Sequence, residues 1–404
     1  MPRPGLAQSM NDVAASVGGR AGRDLHVLAL NSGSSSLKFG LYRMQRGKAA
    51  LLLTGEAEAI GERDAVFHAA DAQGRALVRG GEPIGDQVAA VLRIRTLLAD
   101  SGLPAPQAIG HRVVHGGPQL REHCRIDASV LEQISAATAF APLHTPAALA
   151  VIRAAQAHFS GLPAVACFDT SFHGRMPDVA ACLPLPAALR AEGIRRYGFH
   201  GLSCESIVHQ LAGRLPSRLL IAHLGNGASV TAVLDGVSID TSMGLTPTGG
   251  LVMGTRCGDL DPGALVYLMR AHGLDAAGLE DLVDRRSGLA GISGIGGDMR
   301  ALHAAGDSNP DAQLAIRMFC YRAAKELAAM STALGGVDAI VFTGGIGEND
   351  AQVRAEICGR LACIGVDDDS IVAELPGRRA PRCRVLVLPS REEVQIARHV
   401  QDLC

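Results

Sequence analysis

Lysine is nearly absent from this chain of 404 residues. It occurs only at Lys38, Lys48 and Lys325, so 35 of the 38 basic residues are arginines. The P-loop pattern GxxxxGK followed by serine or threonine has no match. Because a P-loop places a lysine beside the phosphates, arginine side chains and backbone amides must carry most of any anion chemistry.

Long apolar runs are also missing. No stretch approaches the ~18 residues that a membrane helix needs, and a composition of 48% hydrophobic and 19% charged residues excludes a disordered chain. The net charge of −2 gives no sign of a nucleic-acid or membrane-surface footprint. Because the chain is about two to three times the usual single-domain size, we expect two domains with separate cores.

The ten cysteines form no CxxC pair and show no clustered spacing. A zinc site or a disulfide framework therefore has little support, and we expect a reducing, cytoplasmic location. Residues 1–24 are rich in glycine and alanine and lack the apolar core of a secretory signal. We interpret them as a disordered N-terminal extension, with a transit peptide as the alternative.

A glycine-rich β-hairpin occurs twice. The first copy has the turn 31–36 between an apolar run and an alternating strand, and the second has the turn 225–229 in the same setting. Aligning Gly33 with Gly227 gives a spacing of 194 positions, close to half the chain. The repeat predicts a duplicated domain with one loop of each copy facing a shared cleft, and chance similarity of two hairpins is the alternative.

Strands and helices alternate between and after the hairpins, as in α/β proteins. Helix N-caps are predicted at Thr145, at Ser203 and at either Asn349 or Asp350. Before the last of these, a buried-type strand runs into the glycine loop 344–347. A strand, a glycine loop and a helix in this order present backbone N–H groups to phosphate.

Four glycine loops stand out, at 31–36, 225–229, 294–297 and 344–347. With the repeated hairpin, they favour a nucleotide held between two lobes over ordinary turns. The segment 298–300, Asp-Met-Arg, follows the third loop, and its own pattern favours a helix N-cap with a solvated arginine.

Arginine and histidine recur beside glycines at loop positions. We favour Arg112 and Arg256 as anion ligands over structural ion pairs, because guanidinium groups on such loops suit bidentate contacts. His200 precedes the predicted cap Ser203, where a helix N-terminus favours a nearby anion. A core histidine is nearly as well supported there.

The acidic candidates are Asp169 and the adjacent Glu392 and Glu393. Ser390 follows a predicted strand, so it is expected to be an N-cap with Glu393 as its capping-box partner. Glu392 is left without a structural role and is therefore the better metal candidate. The acidic run 367–369 is interpreted as a solvated turn.

Ten segments between residue 26 and residue 393 match one known family in order. They are 31–38 (NSGSSSLK), 110–117 (GHRVVHGG), 142–144 (PLH), 168–173 (FDTSFH), 196–201 (RYGFHG), 223–227 (HLGNG), 240–244 (DTSMG), 253–256 (MGTR), 342–349 (FTGGIGEN) and 392–393 (EE). On these segments the chain resembles the acetate kinase family of acyl-phosphate-forming kinases. A match of this length and order is far more specific than a single glycine motif.

The resemblance implies an α/β fold of duplicated actin/hexokinase-like, ribonuclease H-like domains with ATP in the cleft between them. It implies an N-terminal domain formed by residues 25–170 together with a returning helix at 393–404. Residues 171–392 would form the nucleotide-binding domain. Family members are usually homodimers, and the expected partners are a short carboxylic acid and ATP, without nucleic acid or membrane.

The resemblance also assigns site residues. Asn31 and Glu392 would hold Mg²⁺, with Mn²⁺ as an alternative metal. Arg112 would bind the carboxylate of the acid and Asp169 would be the family's catalytic acid. The residues that would contact the reacting groups are Asp169, His200, Arg256 and Arg112, of which His200 and Arg256 would stabilise the transition state.

Two further sets complete the implied site. The alkyl end of the acid would occupy an apolar pocket formed by Val114, Leu143, Phe199 and Pro247. ATP would contact Lys38, His223, Leu224, Gly225, Asn226, Gly227, Asp298, Met299, Arg300, Gly345, Ile346, Gly347, Glu348 and Asn349.

Chemistry accounts for a site richer in cations than in bases. A carboxylate acceptor is already ionised at neutral pH, so the reaction needs positive charge around the phosphoryl group rather than a strong base. We therefore expect Asp169 to orient an arginine or a metal-bound water. The expected reaction is reversible, Mg²⁺-dependent, in-line phosphoryl transfer from ATP to acetate, giving acetyl phosphate and ADP.

Three alternatives stay open. Propionate kinase shares nearly all the motifs, and one methylene is worth only ~1–3 kcal/mol of discrimination. An actin-like ATP-binding module would hydrolyse ATP slowly and transfer nothing, and a kinase with a hydroxyl acceptor would use Asp169 as a base. Arg391 and Thr145 depart from the residues usual in the family, and either departure could alter Mg²⁺ affinity.

Overall fold

The computed structural model describes residues 24–46, 48–81, 83–367 and 382–404. These residues form two separate β-sheets flanked by helices, which confirms the predicted α/β class. The expected disordered extension lies outside the described residues except for Asp24, and the acidic run at 367–369 lies outside them except for Asp367. Within the described residues, every helix is too short or too polar to cross a membrane.

The first sheet has eight strands in the order β5-β4-β3-β2-β1-β6-β8-β7. Its strands are β1 (Leu25–Ser32), β2 (Leu37–Gln45), β3 (Lys48–Glu58), β4 (Val66–Asp71), β5 (Ala76–Gly80), β6 (Ala108–Val113), β7 (Cys124–Arg125) and β8 (Ala164–Phe168). Strands β1 and β2 form an antiparallel hairpin, and β6 and β8 continue the sheet parallel to β1.

The second sheet has five strands in the order β11-β10-β9-β12-β13. Its strands are β9 (Arg218–Leu224), β10 (Ala228–Leu234), β11 (Val237–Thr241), β12 (Ala339–Thr343) and β13 (Arg384–Val387). Strands β9 and β10 form an antiparallel hairpin, and β12 and β13 continue parallel to β9. Both sheets therefore consist of a hairpin extended by parallel strands, and the repeat predicted from Gly33 and Gly227 is confirmed.

Fourteen α-helices lie within the described residues. They are α1 (Gln87–Asp100), α2 (Ala128–Ala136), α3 (Thr145–His158), α4 (Asp178–Ala181), α5 (Ala187–Ala191), α6 (Gly201–Gln210), α7 (Pro262–His272), α8 (Ala276–Arg285), α9 (Gly288–Ser293), α10 (Met299–Ala305), α11 (Pro310–Leu334), α12 (Gly344–Asn349), α13 (Ala351–Cys358) and α14 (Glu392–Leu403).

The last helix, α14, packs on the first sheet although its sequence follows the second. Its residues Ile396 and Val400 are fully buried against β1, β6 and β8. A Cβ atom on Gly110 of β6 would overlap both side chains, so glycine is needed there for the helix to lie flat on the sheet. This contact brings the start of α14 to the carboxyl ends of β1 and β6.

Two predicted helix caps are wrong. Helix α6 begins at Gly201, and its N-cap is His200 rather than Ser203. Helix α3 begins at Thr145 itself, with His144 as the N-cap. Both caps lack a side-chain hydrogen bond, because the local chain direction is fixed by tertiary contacts rather than by capping.

Two other predicted caps are confirmed. Asp350 caps α13 by accepting a hydrogen bond from the backbone N–H of Val353, 3.0 Å away. Asp298 caps α10, accepts from the N–H of Arg300 and pairs with its exposed guanidinium group. The glycines at 344–347 form the short helix α12 directly after β12, rather than a loop followed by a helix.

Candidate active site

The carboxyl end of β1 meets the start of α14 at Asn31. The Asn31 amide nitrogen donates hydrogen bonds to Glu392 Oε2 at 2.8 Å and to Glu393 Oε1 at 2.7 Å. Its amide oxygen accepts from Arg112 Nη1 at 3.2 Å. Asn31 therefore lies between an acidic pair and a guanidinium group, and it is buried.

The capping box expected around Ser390 is wrong. Helix α14 begins at Glu392, with Arg391 as an N-cap that makes no side-chain hydrogen bond. The hydroxyl of Ser390 donates instead to Ser203 Oγ at 3.0 Å and to Glu392 Oε1 at 3.3 Å. Glu393 is thus free to bind Asn31, and sequence reasoning missed its place in the site.

The two neighbouring glutamates differ in the direction of their pKa shifts. Burial raises the pKa of Glu393, and the charge of Glu392 raises it further. Burial also acts to raise the pKa of Glu392, but the charges of Arg112 and His223 and the hydrogen bond from Asn31 lower it below its usual value. Of the two, Glu392 is therefore the glutamate whose negative charge its surroundings stabilise more.

Arg112 and Asp169 form a buried bidentate ion pair. Arg112 lies near the carboxyl end of β6, and Asp169 comes directly after β8, the neighbouring parallel strand. Arg112 Nε donates to Asp169 Oδ1 at 3.1 Å, and Nη2 donates to Oδ2 at 2.6 Å. Burial raises the pKa of Asp169, while the charge and hydrogen bonds of Arg112 oppose that rise. Both carboxylate oxygens are thus occupied by the arginine.

Two imidazoles stack beside the turn of the second hairpin. The rings of His200 and His223 have centroids 4.1 Å apart. His200 Nδ1 lies 2.9 Å from Ser229 Oγ, and His223 Nδ1 lies 2.8 Å from Ser203 Oγ. Burial, followed by the charge of His223, holds the pKa of His200 well below its usual value, so this ring is neutral.

Arg256 lies against the same turn. A Cβ atom on Gly227 would be 3.1 Å from His200 Nε2 and 3.7 Å from Arg256 Nη1. Arg256 Nη1 also donates to the carbonyl oxygen of Pro247 at 2.7 Å. The structure therefore brings Arg256, His200 and Gly227 together, as their shared assignment to one site requires.

The residues assigned to the apolar pocket lie around these cations. Val114 and Phe199 belong to one buried cluster, and Pro247 is buried beside Arg256, while Leu143 is partly exposed. The ring of Phe199 packs on His115 with centroids 5.5 Å apart. Aromatic neighbours thus limit the space beside Phe199.

His144 is a site residue that the sequence did not assign. It is the N-cap of α3, next to Leu143 of the pocket. Burial, followed by the charges of Arg256 and Arg112, lowers its pKa to about 3. The effect of both charges on this pKa indicates that His144 lies near both arginines. In the sequence, the only signal for a role of His144 was its place in the matched segment 142–144.

The glycine segments assigned to the nucleotide come together at the turn of the second hairpin. Gly254 N–H donates to Asn226 O at 3.1 Å, and a Cβ on Gly225 would lie 3.7 Å from the Gly345 nitrogen. Glu348 Oε1 accepts from the N–H of Gly344 at 3.0 Å, so this carboxylate is turned back onto the start of α12. Of the other assigned residues, Leu224 ends β9, Met299 is buried at the start of α10, Ile346 and Gly347 lie in α12, and Asn349 donates to Gly345 O.

Lys38 is exposed on β2, opposite Asn31 in the hairpin register. Paired residues of an antiparallel hairpin project to the same face of the sheet, so Lys38 lies on the same face as Asn31, and its charge acts to lower the pKa values of Glu392 and His223. Arg300 is exposed and held by Asp298.

Comparisons with known proteins find relatives over nearly the whole chain. The model of the acetokinase family matches residues 26–398. An acetate kinase of Rhodopseudomonas palustris is 43% identical over 93% of this chain and 98% of its own length, and one of Pseudomonas aeruginosa is 43% identical over 92% and 97%.

Two solved structures are similar over nearly all of both chains. The acetate kinase of Porphyromonas gingivalis has a TM-score of 0.80 and 34% identity, covering 94% of this chain and 99% of its own. A propionate kinase from Francisella tularensis has a TM-score of 0.83 and 39% identity, covering 94% and 100%.

Proposed function

The chain belongs to the acetokinase family, and from that membership we propose that it is an acetate kinase. It transfers a phosphoryl group reversibly from ATP to acetate, giving acetyl phosphate and ADP. The observation that carries the choice of acceptor is the buried ion pair of Arg112 and Asp169. Because Arg112 binds both oxygens of Asp169, this carboxylate is engaged in orienting the guanidinium group, which suits an acceptor that is already ionised and needs no strong base.

Arg112 has donors left for the acid. A guanidinium group has five N–H bonds, and the contacts to Asp169 and Asn31 leave one N–H on each terminal nitrogen. These two donors suit the carboxylate of the substrate. Arg112 then aligns the attacking oxygen while Asp169 holds the guanidinium in place.

Arg256 and His200 are placed to receive the phosphoryl group in transfer. The charge of that group spreads over three equatorial oxygens, and positioned donors stabilise it. Arg256 supplies positive charge and His200, being neutral, supplies one ring N–H. His144 lies near enough to both arginines to belong to the same cluster.

The residues around Asn31 fit a Mg²⁺ ion, with Mn²⁺ able to use the same donors. Hard divalent cations prefer oxygen ligands, which the buried, ionised Glu392 carboxylate supplies. The amide nitrogen of Asn31 donates to Glu392 and its oxygen accepts from Arg112, so this oxygen would join the ligand set after a turn of the amide group. Asn31 and Glu392 would hold the metal, and Glu393 would orient Asn31. When bound, the ion neutralises charge on the phosphate oxygens.

The nucleotide is proposed to lie in the cleft between the hairpins. Its phosphates would contact backbone amides of 225–227 and the start of α12, and Lys38 reaches the same space. The proposed domains are residues 25–170 with 393–404, and residues 171–392. The packing of α14 on the first sheet supports this division.

A homodimer and a cytoplasmic location are also proposed. Helix α7 has no buried residue and exposes Val266, Tyr267 and Met269. An apolar helix face of this kind suits contact with a second copy. All ten cysteines are free thiols, in keeping with a reducing compartment.

One assay tests the proposal. The purified protein is incubated with ATP and Mg²⁺, and acyl phosphate is trapped as hydroxamate with formate, acetate, propionate and butyrate in turn. We expect acetate to have the highest kcat/KM. A preference for propionate, as in the name of the Francisella tularensis structure, would select the propionate alternative, and no hydroxamate with any acid would refute acyl-phosphate formation.

A further inference from the structure

Outside the residues that contact the reacting groups, a carboxylate is held between two imidazoles. Glu205 of α6 accepts at Oε2 from His399 Nε2, 2.6 Å away, and at Oε1 from His123 Nε2, 3.3 Å away. The two rings face each other with centroids 3.8 Å apart. Gln395 Nε2 adds a contact of 3.3 Å to Glu205 Oε2.

The hydrogen bonds fix the charge state of this cluster. Burial alone would raise the pKa of Glu205, but the bonds from His123 and His399 lower it to about 2. The cluster is therefore an ionised carboxylate with two ring N–H donors, and its side chains are largely buried.

A hydrogen bond from the backbone argues against a metal at this cluster. Phe168 N–H donates to His123 Nδ1 at 3.0 Å, so the ring proton of His123 must be on Nε2, which faces Glu205. A neutral imidazole that ligates a metal through Nε2 would need its proton on Nδ1, against the Phe168 N–H. His123 thus acts as a bridge between the backbone and the carboxylate.

Each member of the cluster lies on, or binds to, a segment that carries proposed site residues. His123 binds the backbone of Phe168, next to Asp169. Glu205 lies five residues after His200, and the backbone N–H of Gly201 donates to Asp169 O at 2.9 Å. His399 lies on α14, whose first residue is Glu392.

We propose that Glu205 is a positioning residue for phosphoryl transfer. Its carboxylate fixes three segments relative to one another: the end of β8 that carries Asp169, the start of α6 that follows His200, and the helix that carries Glu392. The inference rests on the proposed function, and it adds to that function a group that touches neither substrate nor metal.

The test compares two substitutions in the full chain. Glu205→Leu removes both acceptors, and we expect kcat for hydroxamate formation to fall about tenfold to a hundredfold, because supporting residues and small misplacements have effects of that size. KM for ATP and for acetate should change less than about threefold, since the substrate contacts themselves remain. Glu205→Gln should keep kcat within about threefold of wild type. Its amide oxygen can accept from His123 and its NH₂ can donate to His399, whose ring proton can move to Nδ1.

Two further variants complete the design. His209→Gln lies on the exposed side of α6 and serves as the matched control, with unchanged kcat. His399→Leu removes one donor from α14 and should lower kcat severalfold, which keeps the test available if Glu205→Leu does not fold. Circular dichroism and thermal melts establish that each variant is folded at the assay temperature.

Several outcomes would overturn the proposal. They are a folded Glu205→Leu protein with kcat within twofold of wild type, equal losses for the leucine and glutamine variants, and a rise in KM with unchanged kcat. If wild type itself forms no acyl phosphate, the proposed function fails first, and that result is distinguishable because it needs no variant.

Discussion

The two glycine hairpins share a backbone arrangement but differ in the charged side chains that surround them. At the first hairpin, Asn31 is bound by two carboxylates and one arginine. At the second, the turn at Gly227 touches a neutral imidazole and an arginine. A duplicated fold thus supplies two equivalent strand ends. Side chains from other segments then give each strand end a different set of charges and hydrogen-bonding groups.

The difference indicates how the reaction is divided. The first hairpin side offers oxygen ligands and the guanidinium of Arg112, which suit a metal and a carboxylate. The second side offers Arg256, His200 and backbone amides, which suit phosphate oxygens. Under the proposed function the attacking and leaving groups are held in line across the cleft, so we expect neither copy to perform the transfer alone.

The largest expected effects distinguish the two arginines. Arg112→Ala and Arg256→Ala should each lower kcat about 10³-fold in the hydroxamate assay, by analogy with the loss of an arginine finger. Only Arg112→Ala should also destabilise the fold, by about 3 kcal/mol in urea unfolding, because it leaves Asp169 buried and unpaired. Arg79→Ala on the exposed edge strand β5 is the control. Equal stability of the two active-site variants would contradict the described ion pair.

A smaller effect separates the two glutamates at the first hairpin. Glu392→Gln should raise the apparent Mg²⁺ concentration for half-maximal activity about tenfold or more, because it removes the ionised ligand. Glu393→Gln should change it less, since Glu393 contacts Asn31 and takes up a proton more readily. Magnesium titrations at saturating ATP measure both values, and a larger shift for Glu393→Gln would reverse the assignment.

The fold itself should lose stability in mild acid. Burial lowers the pKa of His111 to about 3 and the pKa values of His115 and His173 to about 4. These rings are neutral in the folded protein but take up protons on unfolding below about pH 6.5, so their contribution is complete above that pH and is lost as pH falls toward 4. Each of these histidines should lower the free energy of unfolding by about 2 kcal/mol between pH 6.5 and pH 5.

Urea unfolding at pH 7 and pH 5 checks this loss. His111→Met should reduce the pH dependence of the unfolding free energy by the contribution of one histidine. Both ring nitrogens of His111 are buried without a hydrogen-bond partner in the described structure. The His272→Gln variant, at the exposed end of α7, is the control. An unchanged slope in His111→Met would show that this ring is protonated in the folded protein.

The smallest effects concern the three lysines. Lys38→Ala should raise KM for ATP severalfold, since Lys38 pairs with Asn31 at the end of the first hairpin, where the nucleotide is proposed to lie. Lys48→Ala and Lys325→Ala should leave kcat and KM within twofold, because both residues are exposed on outer segments. If either abolished turnover without unfolding the protein, arginine and amides would not carry the phosphate chemistry.

Local patterns were enough to predict the two hairpins with their glycine turns, whereas the roles of Asn31 and Arg112 in binding metal and acid came from the family resemblance and stay predictions. Local patterns were misleading at Ser390, where the spacing to Glu393 fits a capping box but the helix begins at Glu392 rather than at Arg391. The reason is tertiary: Ser390 binds Ser203, and the N–H of Arg391 donates to Ser206 Oγ at 3.1 Å.

Other features depend on contacts that no local pattern records. His200 adopts a left-handed backbone conformation with φ of 60°, which could not be predicted from its residue type. Glu205 lies 82 positions from His123 and 194 from His399 in the sequence, so only the folded chain reveals that the three meet.

The docking of α14 also has a consequence for biosynthesis. This helix leaves the ribosome after every strand of both sheets. Until it arrives, Val27, Ala29 and Gly110 present an apolar face, and Asn31 lacks both carboxylates. Because nascent domains begin to fold from their N-terminal end, all strands of the first sheet are made before this helix can cover it. The docking of one late helix then buries that face and brings both carboxylates to Asn31, so we expect a chain that ends before residue 392 to lack the acidic pair and to keep the face exposed.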